Sequence, residues 1–139
     1  MCGIFGIHGD IDRQEFKKTL DVIHHRGPDE TNFYFNEEKQ VSLGHKRLSI
    51  IDINKGSQPM WSFDKTVCVI FNGEIYNHSE IRISLEKKGH KFYSHHSDTE
   101  ILIYGYMEWG ESMPQRLNGM FSFAIFDMRK NLFFLSRDK

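Results

Sequence analysis

A cysteine stands second in the chain, in Met1-Cys2-Gly3-Ile4-Phe5-Gly6, and its position makes it a candidate for chemistry. Removal of Met1 leaves one residue carrying both a thiol and a free α-amine, a nucleophile with its own proton acceptor. The reference pKa values of those two groups lie within about one unit of each other, close enough for a proton to pass between them. Other segments hold groups that such a nucleophile needs. Asn72-Gly73-Glu74 follows a strongly apolar run. Asn-Gly is the strongest short signal for a tight hairpin turn. The same amide and backbone N–H also suit a developing oxyanion, where one donor is worth roughly 2.7–4 kcal/mol. Arg47, in Gly44-His45-Lys46-Arg47-Leu48, is either a solvated strand end or a bidentate clamp for a small carboxylate. Asp98, at the head of a helical pattern, is a partner for the helix dipole or a receptor for an ammonium group.

Bulk properties exclude several classes of function. The 139 residues suffice for one domain at most. A composition 39% hydrophobic and 14% aromatic fills a core and argues against disorder. A net charge of −1 gives no broad field for nucleic acid or anionic lipid. No apolar run reaches membrane-spanning length, and no signal peptide precedes the first strand-like segment. Cysteines at 2 and 68 do not form a disulfide framework; Cys68, in an apolar run, reads as a buried filler, and a reducing cytoplasm is the expected location. The eight histidines include the adjacent pairs His24-His25 and His95-His96, but none is spaced i, i+4, so no metal site is expected. No glycine-rich phosphate loop is present, so no cofactor is expected in this chain.

Strands are expected at Gly3–His8, Thr31–Phe35, Val41–Leu48 and Val67–Asn72, with a long loop holding Gly56 and Pro59 before the last of these. A helix over Asp12–His24 starts at a capping box, Asp12-x-x-Glu15, and sets Phe16, Leu20 and Ile23 on one face. Arg26-Gly27-Pro28-Asp29 breaks that pattern as a turn. A second helix, His78–Lys88, takes Asn77 as N-cap, turns Ile81 and Leu85 inward and stops at Gly89. Ser97-Asp98-Thr99-Glu100 is a further capping box, opening a helix to about Trp109, with a short helical turn over Glu111–Leu117. Gly119–Asp127 and Leu132–Arg137 form a hairpin that is apolar on both faces, as in sheets stacked between helix layers. The mixture is α+β. A buried strand so near Lys139 looks like an interrupted domain with an unpaired sheet edge.

Taken together, the start Cys2–Gly6, the turn His25-Arg26-Gly27-Pro28-Asp29, the segment Gly44–Asp52, the run Phe71–Asn77, Ser97–Glu100 and Leu117–Phe121 resemble the class II glutamine amidotransferases, most of all the glutaminase domains of glutamine-hydrolysing asparagine synthetases. The blocks span residues 2–138 in the family's order. The resemblance implies an N-terminal-nucleophile fold, two stacked antiparallel sheets between helix layers, truncated here at the C-terminus, so that 1–139 is an incomplete amidotransferase domain. It implies hydrolysis of L-glutamine to glutamate and ammonia through a γ-glutamyl thioester. Cys2 is then the nucleophile and its amine the proton shuttle; Asn72 and Gly73 form the oxyanion hole. Arg47 holds the α-carboxylate of glutamine, Asp98 and Glu74 its α-amine, and Leu48, Ile50 and Ile51 line the pocket. The partner implied is a synthetase domain that binds ATP and magnesium and receives the ammonia to make asparagine, absent from this chain; a homodimer of the full-length protein is a further expectation. A sugar or phosphoribosyl acceptor, or an inactive fragment, are the alternatives.

Overall fold

Period-two alternation in the strands and i, i+4 apolar spacing in the helices sort the side chains into layers. The computed structural model describes residues 2–49, 56–94 and 97–139. Among these, β1 (Gly3–His8), β2 (Glu30–Asn36) and β3 (Val41–Arg47) form an antiparallel sheet in the order β1-β3-β2. A second antiparallel sheet, in the order β4-β5-β6-β7, comprises β4 (Met60–Trp61), β5 (Val67–Ile75), β6 (Gly119–Asp127) and β7 (Leu132–Arg137). Helix α1 (Arg13–Val22) covers the outer face of the first sheet, with Phe16 against Phe5 and Phe35 and Leu20 over Gly44. Helices α2 (His78–Lys87) and α3 (Glu100–Trp109) cover the second sheet, where Ile81, Leu85 and Ile101 pack with Val67, Val69 and Phe71. Val41, Leu43, Cys68, Ile70, Ala124 and Phe126 fill the space between the sheets. The stacking order is therefore helix, sheet, sheet, helices, the expected architecture. Full burial of each large core side chain contributes about 1.5–3 kcal/mol.

Several element boundaries differ from the sequence expectation for identifiable reasons. Helix α1 ends at Val22 and passes into a 3₁₀ turn, His24–Arg26. Its Asp12 accepts from Gln14 N and Glu15 N, which is half of the anticipated capping box. Asn77 does not cap α2: its side chain instead accepts from Asn118 N and donates to Arg116 O, tying the approach to β6. The Ser97–Glu100 capping box does not form either, because buried Glu100 accepts from Tyr93 N, Ser94 N and Ser94 Oγ and so holds the preceding loop. Strand β5 runs on to Ile75, paired with β6 throughout, so Asn72-Gly73 is mid-strand and not a hairpin turn. The long loop before β5 contains the short β4. Ile50, Ile51 and the His95-His96 pair lie outside the described residues. Cys68 is free and 0% exposed, and burial pushes its thiol up, as a core filler requires. Among the described residues, β7 pairs only with β6 and forms a sheet edge. No helix among them is long and apolar enough to cross a membrane.

Asp127 gives the fold a defined acid sensitivity. It is 0% exposed at the end of β6, where burial works against its charge, but hydrogen bonds from Arg129 and Lys130 N and the Arg129 charge hold its carboxyl below the usual range. A depressed folded-state pKa contributes stability that is fully present above the unfolded value, about 3.9, and is lost as pH falls through the folded value. Thermal melts between neutral pH and pH 2 should show stability dropping below about pH 4, with a smaller drop in Asp127→Asn. An acid drop unchanged by that substitution would remove Asp127 as a contributor.

Candidate active site

The inner faces of both sheets turn from apolar to polar toward one end of the sandwich. On β3, Val41 and Leu43 belong to the core between the sheets, and the next residues of that face are His45 and Arg47. The opposite face carries Gly44 beneath Leu20 and Lys46, whose Nζ reaches Asp21 of α1 at 2.5 Å. Cys2 precedes β1 on the face of Ile4, and Asn72 and Glu74 follow Cys68 and Ile70 along β5. These polar positions meet at a cavity of about 220 Å³. It is lined by Cys2, His45, Arg47 and Leu48 on one side and by Asn72, Gly73, Glu74 and Asp98 on another. Ligand sites for drug-sized molecules run to roughly 300–1,000 Å³, so this smaller one has room for a solute the size of a single amino acid.

The sulfur is held at the end of β3. Leu48 N donates to Cys2 Sγ at 3.5 Å, and Leu48 O lies 3.9 Å from the same atom. That strand end is fixed from the His25–Asp29 turn: Asp29 N donates to Arg47 O at 3.0 Å, and Ser49 N donates to Asp29 Oδ2 at 2.7 Å. Gly27 lets the turn lie against the strand, since a Cβ there would sit 2.2 Å from Lys46 O. The turn motif is therefore the clamp that aims the Leu48 N–H at the sulfur.

The edge of β5 supplies hydrogen-bond donors. Because β4 reaches only as far as Val69, the outward row of N–H groups beyond it has no neighbouring strand among the described residues. In an antiparallel ladder, alternate residues turn their N–H groups away from a given partner. Phe71 and Ile75 belong to the outward row: Phe71 N donates to Gln58 Oε1 at 2.6 Å and Ile75 N to Asp98 Oδ2 at 3.1 Å. Gly73 lies between them in the same row, and its register partner Phe121 gives its carbonyl to Asp138 N on the far side. No described residue accepts from the Gly73 N–H. Asn72 Oδ1, on the adjacent position, is likewise buried without a partner. Glycine is required at 73: its φ is +152°, and a Cβ would meet Met120 O at 2.1 Å.

Charges at the cavity are arranged by sign. Arg47, 4% exposed, pairs through Nη1 with Glu30 Oε2 at 3.0 Å. Glu30 Oε1 also accepts from Asn32 Nδ2 and Ser57 Oγ. Burial alone would raise the Glu30 carboxyl, but bonds from Ser57, Arg47 and Asn32 bring it below the usual range. Asp98 is shifted the other way: burial pushes it up, the bond from Ile75 N and the charge of His78 oppose this, and Glu74 reinforces it. Two neighbouring carboxyl groups, one of them reluctant to ionise alone, make a receptor for a cation. His45 is driven down to about 4 by burial and by the Arg47 charge, and so is neutral near pH 7.

Every candidate residue within the described part, Cys2, Arg47, Leu48, Asn72, Gly73, Glu74 and Asp98, borders this one cavity. Sequence patterns missed Gln58, which bridges Phe71 N and Thr99 Oγ1 and fixes the wall, and gave His45 no role. Nothing local marks Gln58. The odd-numbered phase of β3, shared with Arg47, was the available signal for His45.

Over residues 1–139 the chain matches the family model described as the glutamine amidotransferase domain. It is 42% identical, over 147 aligned residues, to a glutamine-hydrolyzing asparagine synthetase of Bacillus subtilis (strain 168), covering 100% of this chain and 23% of that protein. It is 41% identical to the glutamine-hydrolyzing asparagine synthetase of Brassica oleracea, covering 99% of this chain and 24% of that one. The chain thus spans less than a quarter of the length of these relatives. Among solved structures it is similar in fold to the glutamine phosphoribosylpyrophosphate amidotransferase from B. subtilis, with a TM-score of 0.77 at 16% identity, covering 99% of this chain and 37% of that one.

Proposed function

The chain belongs to the glutamine amidotransferase domain family, and from that premise we propose that it hydrolyses the side-chain amide of L-glutamine as the glutaminase part of an asparagine synthetase-like protein. The observation that carries this reading is the meeting of Cys2 with the Asn72–Gly73 edge around a cavity of amino-acid size. Arg47 takes the α-carboxylate, and Glu74 with Asp98 takes the α-ammonium. A bound ammonium favours the charged Asp98 carboxyl that burial otherwise opposes. The reacting carbonyl then lies between the sulfur and the edge donors.

With Met1 removed, the Cys2 amine takes the thiol proton as Sγ attacks the amide carbon. The Gly73 N–H and the Asn72 side-chain NH₂ donate to the oxygen as it becomes anionic. Which end of the Asn72 amide faces the cavity follows from this role, because a half-turn about its last bond exchanges the two. The C–N bond breaks, the ammonium on Cys2 returns the proton to the leaving nitrogen, and ammonia departs. Water, deprotonated by the same amine, attacks the thioester; the C–S bond breaks, the leaving sulfur takes that proton back from the amine, and glutamate is released. ATP, a divalent metal and asparagine formation belong, on this reading, to the synthetase portion of a longer protein. Identity near 40% to asparagine synthetases favours that acceptor over a sugar or phosphoribosyl group, since the likeness to the phosphoribosyl enzyme is one of fold.

The test is turnover of L-glutamine by purified protein alongside its intact mass. Glutamate and ammonia in equal amounts, from protein lacking the mass of one methionine, are expected. Equal turnover from protein that retains Met1 would rule out the amine as proton shuttle.

A further inference from the structure

His45 is a buried polar side chain that the mechanism above leaves unused. It is 1% exposed and lines the cavity, one step deeper along β3 than Arg47. Neither ring nitrogen has a hydrogen-bond partner among the described residues. The Phe71 backbone lies near enough to favour the protonated ring slightly, but outside hydrogen-bond geometry. Buried polar atoms are nearly always satisfied, so a ring left with both nitrogens unmatched at a cavity wall points to a partner inside the cavity.

The protonation state decides what that partner can be. Burial and the Arg47 cation keep the ring neutral, with Glu30 acting more weakly in the opposite sense. A neutral imidazole has one donor and one acceptor nitrogen. A carboxamide can donate from its NH₂, whereas an ionised carboxylate has only acceptors. We propose that His45 contacts the side-chain amide of the substrate, accepting a hydrogen from its NH₂, and so separates glutamine from glutamate. The contact leaves the amide carbonyl free for Asn72 and Gly73, and it is lost when the amide becomes a carboxylate, which favours release of product. This deepens the glutaminase reading and rests on it.

Calorimetric binding of L-glutamine and of L-glutamate to the full chain carrying Cys2→Ala, which prevents turnover, tests the assignment. The parent should prefer glutamine. Adding His45→Phe, which keeps a ring but removes both nitrogens, should weaken glutamine about tenfold, roughly one hydrogen bond, and leave glutamate unchanged. His45→Asn, which retains a donor and an acceptor, should keep most of the preference. An unchanged ratio of the two affinities in His45→Phe overturns the assignment, and a purely structural role would weaken both ligands alike. If the parent binds neither amino acid, the glutaminase reading itself fails and takes this inference with it. Should His45→Phe lack a cooperative melt, the ring ¹⁵N resonances of His45 in the parent decide: glutamine must shift the acceptor nitrogen more than glutamate does, and an unmoved ring at saturating glutamine overturns the assignment.

Discussion

Cys2→Ala should lower glutamate release by on the order of 10⁴-fold or more, as removal of a covalent nucleophile does in other acyl-transfer sites. The structural cost should be small, because Cys2 is half-buried and among the described residues its sulfur bonds with Leu48 alone, at long distances. Glutamine binding should persist, since Arg47, Glu74 and Asp98 are untouched. Cys68→Ala is the control: that thiol sits in the core between the sheets, so the change should cost stability and spare turnover. A glutamate assay with a parallel thermal melt reads both. Cys2→Ala turnover within tenfold of the parent would end the proposed chemistry.

Asn72→Ala should lower kcat by about 10²–10³-fold, the usual effect of losing one oxyanion donor, with KM little changed. No described residue depends on the Asn72 side chain, and its removal takes away a buried oxygen that has no partner. The melting temperature should therefore hold or rise. Gly73→Ala is expected to behave differently, because a methyl group at φ +152° and 2.1 Å from Met120 O must push β5 and β6 apart. It should lose stability and turnover together. Steady-state kinetics and melts on both variants separate a donor lost from a strand displaced; a rise in KM without a fall in kcat for Asn72→Ala would assign that side chain to ground-state binding.

How the site could be read from sequence depended on the range of each signal. Ile81 and Leu85 of α2, or the unbroken apolar run Val67–Phe71, follow from local sequence and fell where expected. Caps were less legible. Asn77 and Glu100 have the right types at the right positions, but both side chains bond to distant or loop backbone instead. Asn72-Gly73 shows the same competition. Locally the pair favours a turn, yet nine residue pairs with β6 hold it extended.

The types and order of residues already specified a thiol beside an amine, a cation, two carboxyl groups and an amide, together with the helix and strand periods that would carry them. Those properties are local, so composition and spacing suffice to state them. Which backbone N–H lacks an acceptor, which carboxylate steadies Arg47 and which histidine is buried unmatched were settled by assembly. They depend on β4 beginning only at Met60, opposite Val69, on Glu30 facing Arg47 across the strand pair and on the depth of His45 between two sheets. Each of these is a relation between segments distant in sequence, and it exists only once the strands have paired.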